Sequence, residues 1–543
     1  MNMDGRPRPQ GDTLSRVLAE TAARQPHHPA ILYHGQSISY AELDHEVCRA
    51  ARGLLALGIG IGDRIGALLG NQPEWVVIAL AASRIGATFV PLNTWYKRTE
   101  LAWTLEHCGL RLLVAVPRFI RTDFVALLHQ VAPEALGKKL GEAADSRFPM
   151  LGSLLFVGEA PSGSASWNDL LRLGDTVPLS QLATAEATVS ATGAAFVLYT
   201  SGSTADPKGV VLGHGGVVAN GLELGLRRGI VAQDRVWLGT PLFYGLGATN
   251  ALPATLTRGA TLVLQDYFEA GSAIETIAAT QATVYYGTGN ITRAMLDHPD
   301  YRQARIGSLQ KGNAGTMAEY KRLTLVEMGI RGAVPAYGLT ETYGNATVGW
   351  PDDPLEAKLE TSGTPLDGME VRIVDPQTRN DLPQGQTGLV LIRGHVAQQY
   401  LNNPEETARS MGADGFFDTG DLAFLDADGR FHFHARLKEV IKSGGINISP
   451  VEVEQLIASH PDIRDAYVVG CDDPVKGELV VAFVDPLTPL QAEDVQAYVK
   501  ERAASFKVPN HVLFRSEEQL PRLASGKVAK HQLAQEARRE LGL

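Results

Sequence analysis

The sequence predicts an α/β fold. It comprises a large N-terminal domain built from α/β subdomains with substantial parallel sheet, and a small α+β C-terminal domain. Three observations carry this. The chain has 543 residues, more than one hydrophobic core organises. Apolar strand-like runs alternate with helical stretches, the pattern of helices covering a parallel sheet. After residue 438 a second compact strand and helix pattern begins. The expected division is therefore 1–437 and 438–543.

The elements follow in order. The polar stretch MNMDGRPRPQGDT has no apolar run of the signal-peptide kind, so no leader is expected. AILYHGQSISYAELDHEV reads as a strand, a turn at Gly35, a second strand and a helix, with Ser39 and Glu42 as a capping box. Residues 75–90 are apolar but broken by Arg84 and Gly86, so they read as a buried helix and a strand rather than a membrane span. The polar stretches 133–149 and 159–189 read as irregular surface excursions. Residues 261–267 and 282–288 read as buried strands around a helix at 270–281. In the last domain Ser449, Pro450 and Glu452 supply an N-cap, a first-turn proline and an N3 acid. Strands DAYVVG and ELVVAFV follow, then a helix beginning at Thr488 and Pro489.

A net charge of −11 and a pI near 5.7 disfavour non-specific binding to nucleic acid or anionic membranes. Cys48, Cys108 and Cys471 lie far apart, without metal-ligand spacing. Disulfides are not expected, which fits a cytoplasmic protein.

Residues 198–212, LYTSGSTADPKGVVL, form a Gly/Ser/Thr-rich loop between two apolar runs. A Walker loop requires a second glycine before the lysine and a Ser or Thr after it, opening a helix. Here Pro207 and Gly209 occupy those places, and VVL continues as a strand. A strand-to-strand loop can still hold phosphate through hydroxyls and a curl of backbone N–H groups.

That loop resembles the phosphate loop of the adenylate-forming superfamily of acyl-CoA synthetases, peptide-synthetase adenylation domains and luciferases. PLFYGLG (241–247), YGLTE (337–341), FFDTGD (416–421), ARLKEVIKSGGINISPVEVE (435–454) and PRLASGK (521–527) resemble further motifs of that family, in family order. Acyl-CoA ligases are the nearest in pattern. The resemblance implies two half-reactions: a carboxylate attacks the α-phosphate of ATP to give acyl-AMP and pyrophosphate, and the thiol of coenzyme A then displaces AMP. It implies that Thr200, Ser201, Ser203, Thr204 and Lys208 surround the phosphates, Tyr337 stacks on adenine, Thr340 touches the α-phosphate, and Asp421 and Arg436 bind the ribose. Glu341, with Thr204, would hold Mg²⁺. Lys527 would bridge the carboxylate and the α-phosphate. Lys438 would swing the small domain so that Gly444 and Gly445 face the pantetheine arm. Such crowding of anions needs fixed positive charge.

Phe243, Tyr244, Gly245, Gly287, Gly312 and Gly315 are expected to line the acyl pocket. The run Phe243-Tyr244-Gly245 lacks the acid that would pair with an α-amino group. The small residues suggest room for a bulky apolar acid. Partners are therefore expected to be a small carboxylic acid or its adenylate and coenzyme A, with no nucleic acid and no membrane span; a homodimer stays open. Some positions depart from the family pattern. Ala205 replaces a glycine of the phosphate loop and Ala435 the glycine before the hinge arginine. Leu389 stands where Glu is common, and Lys311 places a charge in a segment expected near the nucleotide. Two alternatives follow: a thioesterification-only ligase that accepts preformed acyl-AMP, and a non-catalytic nucleotide or acyl-ligand sensor.

Overall fold

The computed structural model describes residues 10–543 apart from 143–144, 201–206, 444–445, 475 and 524–526. Two large sheets dominate. In one, six strands run parallel in the order Gly332–Tyr337, Lys311–Gly315, Val284–Tyr286, Arg235–Leu238, Thr261–Leu264 and Pro29–Tyr33. Antiparallel strands Gln36–Ser39 and Thr347–Val348 flank that parallel block. In the other sheet, parallel strands Ala194–Thr200, Thr88–Pro91, Arg64–Leu68, Leu112–Ala115 and Ser153–Phe156 lie side by side. Strand Lys208–Gly213 joins antiparallel to Ala194–Thr200. One continuous apolar core spans both sheets, including Trp75, Phe89, Phe196 and Val334. This is the mixed α/β architecture with parallel sheet that the alternation of elements predicts.

Local chemistry explains the elements. Ser39 and Glu42 close a full capping box on helix Tyr40–Ala56. Helix Pro73–Ile85 is buried along its length and ends at Gly86 with φ 72°, where a glycine is favoured, before strand Thr88–Pro91. Ser449 caps helix Pro450–Ala458 by accepting from the Glu452 N–H, and its hydroxyl donates to the His434 carbonyl at 2.7 Å.

A four-stranded antiparallel sheet, Glu370–Val374, Gly388–Arg393, Phe417–Leu425 and Phe431–Arg436, precedes a short 3₁₀ turn at Leu437–Glu439. Beyond it, long strands Ile463–Asp473 and Gly477–Pro486 pair antiparallel and are packed by helices on their own apolar clusters around Val468, Val480 and Phe483.

Three readings of the sequence need correction. Residues 159–189 are not irregular, since they contain helices Trp167–Asp175 and Leu179–Ala187. The first is capped by Ser166 and Asp169 and packs tightly on helix Tyr40–Ala56: a Cβ on Gly53 would sit 2.4 Å from the Leu170 carbonyl. Short helices with one narrow apolar side have a polar composition, which hides them. The helix expected from Thr488 begins at Ala492. Lys311 stands at the start of its strand, opposite the strand ends that carry the site. There its ammonium donates to the Gly229 carbonyl at 2.7 Å and to Asp234 at 2.8 Å, a structural pairing at the end of the strand away from Gly315.

Candidate functional site

Parallel strands direct their carboxyl ends to one edge, where loops and helix starts can gather polar groups. The strand Gly332–Tyr337 delivers Tyr337 to this edge, and the chain then turns through a 3₁₀ segment, Thr340–Thr342, that carries Glu341. The Tyr343 hydroxyl accepts the Gly213 N–H at 2.9 Å, tying this turn to the Ala194–Thr200 and Lys208–Gly213 hairpin.

That hairpin brackets the phosphate-loop candidates. Thr200 pairs with Lys208 across it, and the Thr200 hydroxyl is 3.5 Å from the Lys208 carbonyl. Ser201, Ser203, Thr204 and Ala205 lie outside the described residues. Lys208 has a partner the sequence did not suggest. Its ammonium lies 2.6 Å from Glu406 Oε1, both side chains largely buried, and 5.4 Å from the centre of the Tyr400 ring. The Tyr400 hydroxyl donates to Glu341 Oε1 at 2.7 Å. Tyr400 thus joins the lysine of the phosphate hairpin to the carboxylate expected to hold metal. Burial first, then the Glu341 charge, pushes the Tyr400 hydroxyl well above its ordinary pKa, so it stays a donor. Burial alone would raise the Glu406 carboxyl, but hydrogen bonds from Arg409 and Lys208 outweigh it and hold the carboxyl below its usual range.

A second group forms around Asp421. Strands Phe417–Leu425 and Phe431–Arg436 set Asp421 opposite Arg436, whose Nε lies 2.9 Å from Asp421 Oδ1. The Tyr337 hydroxyl donates to Oδ2 at 2.6 Å, and the Tyr337 ring stacks on Phe431 with centroids 4.3 Å apart. Oδ1 is buried without an aligned hydrogen bond, so it can still accept from a hydroxyl such as that of a ribose. Burial raises the Asp421 pKa most strongly, and the nearby Arg436 charge opposes this.

Lys527 comes to this group from the last sheet and helix unit. It remains reachable by solvent, yet protein surrounds it closely enough that desolvation is the largest effect on its ammonium. Its pKa is lowered, first by desolvation and then by Arg436, against the opposing pull of Asp421 and Glu439. Lys438 is exposed on the Leu437–Glu439 turn. Gly444 and Gly445 lie outside the described residues, between strands Ile441–Ser443 and Ile446–Ile448.

The acyl-pocket candidates separate by what surrounds them. A Cβ on Gly245 would meet nothing nearer than 3.7 Å and would lie 3.9 Å from the Thr340 hydroxyl, so a methyl would fit there in ordinary contact. Gly315 has φ 83° and only Tyr320 Cβ at 3.6 Å. Gly287 and Gly312 behave differently: a Cβ on either would come within 2.1 Å of Tyr285 atoms. These two glycines serve close packing and leave no vacant volume of their own. Phe243 and Tyr244 stack edgewise and at a tilt with Trp95, which is half exposed, and Asn93 Nδ2 lies 3.4 Å from the Tyr244 hydroxyl.

Sequence reasoning missed Trp95, Tyr400, Glu406 and Phe431. Glu406 follows Asn403 and Pro404 in a pattern that marks only a helix start, and Asn403 does cap Pro404–Ser410. Its reach to Lys208 is a tertiary contact with no local signal. Among the described residues no group of three or more His, Cys, Asp and Glu side chains could hold a metal by itself. Glu341 supplies one hard oxygen site, which fits Mg²⁺, an ion commonly bound by one or two carboxylates together with substrate phosphates. Among the described residues no helix is long and apolar enough to cross a membrane.

Comparison with known proteins agrees with this geometry. The AMP-binding enzyme family model matches residues 18–401, and the AMP-binding enzyme C-terminal domain model matches 452–527. The chain is 31% identical over 545 residues to the medium-chain acyl-CoA ligase ACSF2, mitochondrial, of Mus musculus, covering 98% of this chain and 88% of that protein. It is 33% identical over 538 residues to a 3-[(3aS,4S,7aS)-7a-methyl-1,5-dioxo-octahydro-1H-inden-4-yl]propanoyl:CoA ligase of Mycobacterium tuberculosis, covering 98% and 99%. Among solved structures, ATP-bound MatB from Rhodopseudomonas palustris superposes with a TM-score of 0.81 at 26% identity, covering 97% of this chain and 99% of that one. With both family models matched in order and acyl-CoA ligases aligned over nearly its whole length, the chain belongs to the AMP-binding enzyme family and is an AMP-forming acid–thiol ligase of the acyl-CoA synthetase kind.

Proposed function

We propose that this chain activates a bulky, largely apolar carboxylic acid as acyl-AMP and passes the acyl group to coenzyme A, with the small domain swinging between the two steps. The observation that carries the reading is that Lys527 lies near enough to Asp421 and Arg436 for their charges to act on its ammonium. Carboxylate and α-phosphate repel each other, and a lysine brought between them offsets that repulsion as the new bond forms. Asp421 and Arg436 hold the ribose, Tyr337 offers its ring to adenine, and Thr340 positions the α-phosphate. Lys208 and Thr200, with Ser201, Ser203 and Thr204, hold the outer phosphates. Mg²⁺, bound at Glu341 with Thr204, would neutralise phosphate charge.

The swing about Lys438 withdraws Lys527 and brings the segment of Gly444 and Gly445 to the acyl-AMP carbonyl, where the thiol attacks and AMP leaves. The acid class rests on three supports. Gly245 brings no side chain beside Thr340, Trp95, Phe243 and Tyr244 form an aromatic wall, and one relative is named for a bicyclic propanoate.

The test is thioester formation by the purified chain with ATP, Mg²⁺, coenzyme A and a panel of alkanoic, aryl and alicyclic acids. Absence of thioester from every acid, and from the matching synthetic adenylates, would sink the reading.

One observation favours a weaker adenylation half. The buried Lys208–Glu406 pair occupies the ammonium that the triphosphate needs, and Ala205 lies in the same loop. On this reading the chain takes preformed adenylates more readily than it makes them. Acid-dependent pyrophosphate exchange measures the first half alone. It is expected to be slow in the wild-type chain and to rise in Glu406→Gln and Ala205→Gly; fast exchange in the wild type rules this reading out.

A further inference from the structure

We propose that Arg228, reached through Asn250, is the far end of the acyl pocket and receives an oxygen acceptor carried at the distal end of the acid. The inference rests on the reading of the chain as an acyl-CoA ligase whose pocket begins at Phe243, Tyr244 and Gly245.

Arg228 is fully buried. Its Nη1 donates to Asn250 Oδ1 and to the Tyr286 hydroxyl, each at 2.7 Å, and its guanidinium lies 4.7 Å from the Tyr286 ring centre. Both hydrogen-bond partners are neutral. Nε and Nη2 are buried with no acceptor among the described residues. A buried guanidinium with idle donors is costly, because water is lost and nothing replaces it. A ligand oxygen would offset that cost.

The position suits such a ligand. Asn250 lies in the π-helical turn Leu246–Ala251, immediately after the pocket segment, and such turns recur at functional sites. Tyr286 ends its strand directly before Gly287. A Cβ on Gly344 would lie 3.3 Å from Asn250 Nδ2 and 3.9 Å from the Gly245 carbonyl, and one on Gly245 would lie 3.9 Å from the Thr340 hydroxyl. Near neighbours therefore follow one another from the Thr340 hydroxyl through the half-buried Gly245 and Gly344 to Asn250, whose side-chain oxygen holds Nη1 of Arg228. An acid whose apolar body lies along Gly245 and Gly344 presents its far end to Arg228. Ketones and carboxylates share the lone pairs that accept from a guanidinium, and a carboxylate adds charge pairing.

The experiment measures kcat/KM for thioester formation with ATP and coenzyme A over matched series from hexanoic to dodecanoic acid. Each length is offered as the plain acid, the methyl-ketone acid and the dicarboxylate. At one or more lengths an oxygenated acid is expected to exceed its plain counterpart by about tenfold or more in the wild-type chain. The ketone and dicarboxylate arms tell the two acceptors apart. Arg228→Met is expected to abolish that preference while leaving the plain acids within about threefold. Equal or better use of the plain acid at every length overturns the proposal from the wild-type chain alone, whether or not the variant folds. A uniform loss across all acids in a folded Arg228→Met also overturns it, since the arginine then only braces Asn250 and Tyr286. Failure of every acid and adenylate sinks the ligase reading and this one with it, whereas use of plain acids without preference sinks only this one.

Discussion

Lys527 is a lysine whose surroundings work against its charge. Desolvation and Arg436 lower its pKa, while Asp421 and Glu439 only partly restore it. The proposed adenylation role uses the protonated form. A lowered pKa means the proton is lost at lower pH than from an ordinary lysine, near 10.4 in peptides. The alkaline limb of pyrophosphate exchange is therefore expected to fall at a pH below that value. Lys527→Arg keeps the charge throughout this range, so any activity it retains should lack that limb. Lys527→Ala is expected to lower exchange about 10²- to 10³-fold while sparing transfer from a preformed adenylate to coenzyme A. Equal loss in both halves would show that the lysine is structural. Tyr337, Asp421 and Arg436 could be named from motifs, but their shared hydrogen bonds could not. Lys208 was likewise readable, whereas its pairing with Glu406 was not, because residues so far apart in the chain meet only through folding.

At the scale of elements, caps and close approaches decide stability. Ser449 caps helix Pro450–Ala458 and also holds the His434 carbonyl. Ser449→Ala is expected to destabilise by about 1–2 kcal/mol, read from the unfolding midpoint, and a midpoint unchanged within error would contradict this. Gly312 has φ 140° and no room for a Cβ beside the Tyr285 backbone. Gly312→Ala is expected to cost at least about 2 kcal/mol and to lower soluble yield, whereas Gly245→Ala should leave stability intact and change acid preference. The two glycines look alike in sequence. One has no room for a Cβ and the other would take one in ordinary contact, a difference set by neighbours distant in the chain. The helices at Trp167–Asp175 and Leu179–Ala187 were illegible for a related reason: each is short, with few apolar residues to show a period.

At the scale of the molecule, the last unit carries its own apolar clusters yet presents Lys527 to the group on the sheet that precedes it. The exposed turn Leu437–Glu439 joins them. If the second half-reaction requires rotation there, Lys438→Pro, which fixes φ and removes an N–H, should leave pyrophosphate exchange within about threefold and slow thioester formation at least about tenfold. Parallel loss of both halves would argue against rotation at this residue.

The sequence by itself determined the α/β class, the hairpin around the phosphate loop, the capped helices and the family, because these depend on local periodicity, turn chemistry and ordered motifs. Only the tertiary structure decided that Lys208 pairs with Glu406, that Lys311 serves the opposite end of its strand, and that Arg228 lies buried against Asn250 with two donors idle among the described residues. Those facts depend on which side chains distant strands and helices bring within a few ångströms of each other, and on how much water folding removes from them; neither is encoded in any short stretch of chain.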